Sequence, residues 1–489
     1  MSTDYDVIVI GGGAGGLSAA GIATNLGAKT ALIERDALGG DCTWTGCVPS
    51  KTLLKAAKVA HQAQNASKYG LPDQAIDVDF GAVMEHVRSV RQEVYEEADR
   101  PEIFEDMGID VIQGDAHFVD SHTVAVEKND GSSEQITGRY VILATGSRAL
   151  DPPIEGLGDI NCLTNDTLFE LEERPDRFGV VGAGPIGSEM AQAFSRLGSD
   201  VTVIEMADHI LANDDPELSS MLQEILEDEG IEYLLGAAVE NVVEDEEGIR
   251  IETTEGEADG KFDALLLAAG RVPNVEGLNL DAAGVDYSRK GVTVNDRCRT
   301  SQRHIYAVGD VTGRYQFTHM SNHMAKVAVT NALLKVPSSM DVDHVPWVTY
   351  TDPELAHVGA SEEELDDAGT AYETYRFPYD KLDRAITEGE TDGLIKVHAT
   401  SLTGKILGAS VLGARAGELI TSFTIAMRNG VTLRNIGDTI HPYPAWGEGT
   451  RRVADQWYVQ KQSATFTKVL QTIFGYRGPQ LEYGPDDII

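Results

Sequence analysis

Two cysteines, Cys42 and Cys47, share the run GGDCTWTGCVPSK at residues 39–51 with Gly46, Pro49 and Lys51. Thiols this close can cycle between dithiol and disulfide, or supply half of a zinc site. Zinc requires two further ligands at suitable spacing, and the chain has no second cysteine pair: Cys162 and Cys298 stand alone. Four cysteines are too few for a disulfide framework, so the two isolated ones read as small packed hydrophobes. If a helix opens at Cys47, its N-terminal dipole and the Lys51 ammonium one turn on both favour a thiolate. The chemistry that follows is thiol–disulfide exchange.

The elements that would position this pair are legible on either side of it. DVIVI reads as an apolar strand, Gly11, Gly13 and Gly16 form a glycine turn, a helix begins near Leu17, and a second strand, TALIE, ends at Glu34. Glycines between strand and helix let backbone approach a pyrophosphate at a helix N-terminus, and a carboxylate about 20 residues on accepts hydrogen bonds from a ribose. The same order returns in RFGVVGAGPIGSEMAQAFSRLGSDVTVIE, with Gly182, Gly184, Gly187 and Glu205. Two dinucleotides are therefore expected. At the second site Glu205 is followed by Met206 and Ala207 rather than an arginine, so local electrostatics favour NADH over NADPH, a preference that heavy salt weakens. From about Val348 the glycine-turn logic stops. Short apolar strands such as GLIKVHA and ILGASVLG and a helix from Ala416 then mark a third, C-terminal domain.

A chain of 489 residues suits about three domains. No apolar run approaches the length of a membrane span, and the N-terminus enters a strand without the features of a secretory signal, so a cytoplasmic protein is expected. The formal net charge of −40 argues against nucleic acid and anionic membranes as partners. Acidic stretches such as EILEDEG and VVEDEEGI are tolerable where salt shortens the Debye length to about 3 Å, which points to a salt-rich, halophilic cytoplasm; the alternative is an ordinary acidic enzyme, and loss of activity in low salt separates the two.

With the cysteine segment, the blocks ATGS at 144–147, GRVPN at 270–274 and IYAVGD at 305–310 make the chain resemble the class I pyridine nucleotide-disulfide oxidoreductases over nearly its whole length. That family includes glutathione reductase, dihydrolipoyl dehydrogenase and mercuric reductase. The resemblance implies an α/β fold with two Rossmann-like dinucleotide-binding domains and a C-terminal α+β dimerisation domain. The FAD-binding domain would cover 1–152 and 277–345, the NAD(P)H-binding domain 153–276, and the interface domain 346–489. It implies FAD at Gly11, Gly13, Ala14, Gly16, Glu34, Arg35, Gly40, Thr145, Gly146 and Asp310. NADPH or NADH would sit at Gly182, Gly184, Ile186, Gly187, Glu205, Gly270 and Arg271, with Ile186 as an aliphatic gate. Cys47 would face the flavin, Cys42 would attack the substrate disulfide, and Lys51 would pair with Glu189 where hydride moves.

The resemblance also implies a homodimer in which a C-terminal block completes the partner's site. Members commonly carry a histidine five residues before a glutamate; here HPYPAWGEGTRR places Tyr443 five before Glu448, with His441 two residues earlier. Both His441 and Tyr443 are candidate proton donors. Tyr443 is similar to the tyrosine of mercuric reductases, yet no cysteine follows Cys298 to hand over metal. A low-molecular-weight disulfide is thus the expected substrate, bis-γ-glutamylcystine if the cell is a halophile; the alternatives are a mercuric reductase-like metal reductase and a dihydrolipoyl dehydrogenase subunit. Lys55 and Lys58, at helical spacing from Lys51, read first as a solvated helix face and otherwise as cations for such an anionic substrate, and Trp44 either shapes the disulfide pocket or covers the flavin.

Overall fold

The computed structural model describes residues 3–258, 260–461 and 464–479. The strand β1 (Tyr5–Ile10) runs into the helix α1 (Ala14–Asn25), which begins at Ala14 rather than Leu17, and returns through β2 (Thr30–Glu34). Gly11 has φ +104°, and a Cβ on Gly16 would lie 1.8 Å from the Gly11 carbonyl oxygen. Only glycine permits this approach of helix to turn. After the cysteine segment comes the helix α2 (Cys47–Gln64), which starts on Cys47 itself. The strands β3 (Ile109–Phe118), β4 (Thr123–Lys128) and β5 (Ser133–Leu143) follow. β2 and β5 flank β1 in parallel, while β4 bridges the far halves of β3 and β5 antiparallel.

The second unit repeats the first: β6 (Arg177–Val181), the helix α3 (Pro185–Arg196), β7 (Asp200–Ile204) and β8 (Glu232–Leu234). β9 (Ala264–Leu267) completes a four-stranded parallel sheet in the order β9-β6-β7-β8. Its glycine turn has the geometry of the first. Gly182 has φ +105°, and a Cβ on Gly187 would meet the Gly182 oxygen at 1.9 Å. The chain then returns to the first sheet with β10 (Ile305–Ala307), parallel to β5, followed by the helix α4 (Thr318–Val329) packed on α1.

The third domain is an antiparallel sheet of β11 (Pro346–Thr349), β12 (Glu354–Gly359), β13 (Glu373–Pro378), β14 (Leu394–Ala399) and β15 (Ile406–Gly413), in the order β11-β12-β15-β14-β13. The helices α5 (Ala416–Arg428) and α6 (Glu448–Val459) cover it, and α7 (Ala464–Phe474) follows. The last residues of the interface domain expected over 346–489 lie outside the described residues. The chain is thus α/β, with two Rossmann-like domains and a C-terminal α+β domain.

No linker separates the three because α2 packs into all of them. Its buried residues Leu53 and Ala57 share one apolar cluster with Met190 and Phe194 of α3 and with Leu355 and Leu412 of the third domain. A buried ion network reinforces the junction: Arg196, 5% exposed, bonds Glu229 at 2.6 Å and Asp352 at 2.8 Å, and Asp352 also holds Lys58 at 2.6 Å. The helix that starts at Cys47 is therefore fixed against the second glycine unit.

Candidate active site

A single cavity of about 2040 Å³ runs between the two glycine turns, from Gly11 and Glu34 past Cys42, Cys47 and Lys51 to Gly182 and Glu205. At each end the glutamate closing the second strand grips the turn. Glu34 accepts from the Gly12 N–H at 2.6 Å and the Asp36 N–H at 2.9 Å; Glu205 accepts from Ala183 at 2.7 Å and Ala207 at 2.8 Å. A Cβ on Gly184 would meet nothing within 4 Å, and one on Gly13 only the Gly40 Cα at 3.9 Å, so both glycines border open space. Paired turns, open glycine faces and helix N-termini at both ends fit two bound dinucleotides. Gly16 and Gly187 are not on the cavity wall; their part is to let helix meet turn.

The cysteines sit between the two ends. Both are free thiols in this structure, Cys42 half-buried and Cys47 exposed to the cavity. Cys47 is lowered to about 6 by the hydrogen bond from Cys42, helped by the Thr318 hydroxyl and the Lys51 ammonium against burial. Cys42 is pushed up by the same bond and by burial. The pair therefore gives up one proton readily and holds the second, with the negative charge on Cys47. Thr318 Oγ1 lies 3.6 Å from Cys47 Sγ, at the first turn of α4.

Beyond the sulfurs, Lys51 Nζ meets Glu189 Oε2 at 2.7 Å, and Glu189 is buried. Tyr350, just after β11, binds both: its N–H donates to Glu189 Oε1 at 2.9 Å and its ring lies under the Lys51 ammonium at 4.6 Å. On the other side Ser147 Oγ donates to Asp310 at 2.7 Å and accepts from Arg271 Nε at 2.7 Å, and the same guanidinium reaches Asp41. Burial raises both Asp41 and Asp310, and Arg271 opposes the rise in each. Arg271 was expected on the nicotinamide-nucleotide side. Its donors go instead to the cysteine segment and the first domain, where the Asp41 carboxylate and the hydroxyl and carbonyl of Ser147 accept them.

Most of the remaining expected residues line this cavity: Ala14, Arg35, Gly40, Thr145, Gly146, Ile186 and Gly270. The C-terminal block does not. His441 is held by the Thr439 carbonyl at 2.9 Å, Tyr443 is 68% exposed and donates to Asp383 at 2.7 Å, and Glu448 pairs with Arg451 at 3.1 Å. Within one chain these three stay off the cavity wall. Lys58 is consumed by Asp352 and, at 3.8 Å, by Glu390, whereas Lys55 is exposed. Trp44 borders the cavity with its indole N–H on the Leu38 carbonyl and its ring against Tyr95. Cys298 is fully buried and Cys162 half-buried, and burial pushes their thiols up to about 12 and about 11. Among the described residues, no group of three or more His, Cys, Asp or Glu could hold a metal ion, so the zinc alternative has no ligand set.

Sequence reasoning missed Thr318, Tyr350 and Asp214. Asp214 is a buried carboxyl on the cavity wall that accepts from the Trp347 indole at 2.8 Å, and burial pushes it up to about 7. None of the three belongs to a motif or lies near a partner in sequence.

A cavity shared by two dinucleotide turns and a dithiol defines a nucleotide-linked redox enzyme. The chain belongs to the pyridine nucleotide-disulphide oxidoreductase family, which it matches over residues 5–325, and it matches that family's dimerisation domain over residues 345–454. It is 36% identical to a mercuric reductase of Bacillus cereus over 92% of this chain and 70% of that protein. It is 34% identical to a dihydrolipoyl dehydrogenase of Haloarcula marismortui over 93% of this chain and 97% of that one. In structure it is similar to the HOCl-induced flavoprotein disulfide reductase of Escherichia coli, with a TM-score of 0.82 and 29% identity over 92% of this chain and 99% of that chain. It is accordingly a flavin disulfide oxidoreductase that acts on sulfur groups, depends on FAD and uses NAD(P)H.

Proposed function

We propose that this chain is a cytoplasmic homodimer that reduces a low-molecular-weight thiol disulfide, with bis-γ-glutamylcystine as the substrate and NADH the preferred donor. The observation that carries the reading is the dithiol at the start of α2, placed between two glycine turns with its charge on Cys47. In this reading residues 1–152 and 277–345 hold FAD, through the first glycine turn, Glu34, Thr145, Gly146 and Asp310. Residues 153–276 hold the nicotinamide nucleotide, through the second turn and Glu205. Bound FAD supplies the passage of an electron pair from nicotinamide to the sulfurs. Lys51 and Glu189 fix charge on that path, and Cys47 keeps its thiolate beside it.

Once Cys42 has passed its proton to His441 of the partner subunit, its thiolate attacks the substrate disulfide, forming a mixed disulfide and releasing one thiolate, which takes that proton back. The alternative donor is Tyr443 of the partner subunit. Cys47 thiolate then attacks the Cys42 sulfur, the second substrate thiol leaves, and the Cys42–Cys47 disulfide is restored. Tyr443 is raised by its hydrogen bond to Asp383, which stabilises the phenol and favours His441 as the donor. Two features support the substrate: a net charge of −40 suited to a salt-rich cytoplasm, and identity of 34% and 33% to dihydrolipoyl dehydrogenases of the halophiles Haloarcula marismortui and Haloferax volcanii. Lys55, exposed on α2, is the cation left to meet an anionic disulfide.

A second reading, reduction of a soft metal ion at the two thiols, is favoured by Tyr443 and by the similarity to mercuric reductases. Steady-state rates on symmetrical disulfides, lipoamide and mercuric ion, with NADH and NADPH in molar salt, test both. The proposal predicts the highest kcat/KM for bis-γ-glutamylcystine; a higher value for mercuric ion or lipoamide overturns it.

A further inference from the structure

From Gln456 to Leu481 the chain contains no carboxylate, although about one residue in six is acidic along its length. The charges in this stretch are Lys461, Lys468 and Arg477. It contains α7, whose apolar side chains recur at helical spacing and stand in solvent: Phe466 is 51% exposed, Val469 47%, Ile473 67% and Phe474 61%, followed by Tyr476 at 62%. On the helix these residues form one face, and Lys468 with the threonines and Gln471 lies opposite. At the root of α7, Lys461 donates to the carbonyl of Leu402, a turn residue whose side chain is 85% exposed. Exposed apolar groups thus gather at this end of the third domain, in surroundings free of acidic residues in sequence.

We propose that α7 is a peripheral membrane anchor that lies in the headgroup region of a bilayer containing anionic lipid. An amphipathic helix with aromatic and aliphatic residues on one side and a cation, here Lys468, on the other, flanked by Lys461 and Arg477, seats itself in that way. The overall charge that repels the rest of the protein from such a surface is locally reversed here, so the protein would approach it by this end. Among the described residues no helix is long and apolar enough to cross a membrane, so contact is in the interface plane. A second copy of the chain would also meet the cations, but the match to the dimerisation domain ends at residue 454, before α7 begins. The segment matched to that domain does not include this helix.

The test is flotation of the full-length flavoprotein with phosphatidylcholine vesicles, with and without phosphatidylglycerol, in low and molar salt. Flotation with the anionic vesicles is expected, and the exposed-site double variant I473E/F474E should weaken it about 100-fold, as loss of two buried apolar side chains implies. The variant should keep wild-type disulfide reduction in solution and a wild-type sedimentation coefficient. Absence of flotation under every condition overturns the proposal. So does a smaller sedimenting species for the variant, which would make α7 a contact between copies.

Discussion

Tyr350 and Glu189, from different domains, are joined by a backbone hydrogen bond of 2.9 Å that leaves the other carboxylate oxygen of Glu189 for Lys51. The third domain thereby holds the carboxylate of the second against the lysine of the first. Because the donor is a main-chain N–H, Tyr350→Leu should keep it and lose only the ring beneath Lys51, with a modest effect on rate. Lys51→Met should instead leave a buried carboxylate with one partner. We expect flavin reduction by NADH to slow about 100-fold in stopped flow. The stability cost should be about 1 kcal/mol, discounted because Lys51 is 37% exposed. An unchanged flavin-reduction rate in Lys51→Met would remove the pair from the hydride path.

The low value of Cys47, about 6, rests first on the Cys42 thiol and only then on Thr318 and Lys51. Cys42→Ala removes the leading cause and leaves burial in place, so the Cys47 titration should move up. The thiolate absorbance of the reduced variant, followed against pH, reads this directly. The same variant should lose disulfide reduction while keeping its yellow cofactor. A Cys47 midpoint unmoved near 6 would mean that the helix start and Lys51 suffice. In the native protein, the lowered value contributes stability that is present above the unfolded thiol range and lost as pH falls through about 6.

Both oxygens of Glu205 are committed to the turn, through Ala183 and Ala207, so an arginine placed there would break the clip before reaching any phosphate. Met206 beside it is 76% exposed and lines the cavity. Met206→Arg should therefore improve kcat/KM for NADPH by roughly 10- to 100-fold, the value of one charge-assisted bond, and leave NADH nearly unaffected. Glu205→Arg should weaken both nucleotides. If wild type already prefers NADPH in low salt, the electrostatic argument fails.

The features legible in the sequence are those written locally. Gly11 and Gly16, Gly182 and Gly187, and the cysteines beside Lys51 each carry their geometry within a few residues, and Glu34 and Glu205 follow at the distance a βα unit dictates. Tyr350, Thr318 and Asp214 reach the cavity only because the three domains close upon it, and no local pattern marks a tyrosine after an edge strand as a ligand of Glu189. Lys58 illustrates the converse. Its helical spacing from Lys51 suggested a free cation, but Asp352, 294 residues away, neutralises it. Arg271 likewise follows Asp41 and Ser147 rather than its neighbours in sequence.

Asp214 makes the pH dependence of stability testable without turnover. Burial lifts it to about 7, so between the ordinary carboxylate range and pH 7 the folded chain binds a proton that the unfolded chain has lost. Stability must then fall as pH rises through that window, the reverse of a salt-bridged aspartate. Asp214→Asn keeps an oxygen for the Trp347 indole and removes the titration. The variant should match wild type near pH 4 and exceed it by on the order of 2–4 kcal/mol above pH 8 in chemical denaturation. A constant difference between the two proteins across that range would show that Asp214 ionises normally.

The partner-subunit role proposed for the C-terminal block separates its two candidates. Tyr443 donates to Asp383 of its own chain, and that bond stabilises the phenol, which makes it a weaker acid than tyrosine in water. His441, two residues earlier, carries an imidazole, the side chain most often used as a general acid. His441→Gln should therefore lower kcat by about 100-fold or more, whereas Tyr443→Phe should act chiefly on KM. Mixed dimers, with Cys42→Ala in one subunit and His441→Gln in the other, give the sharper result. If the block serves the partner's cysteines, one site in such a dimer carries both defects and the other is intact, so about half the wild-type rate should survive. If each chain completed its own site, both sites would be broken and almost none would remain.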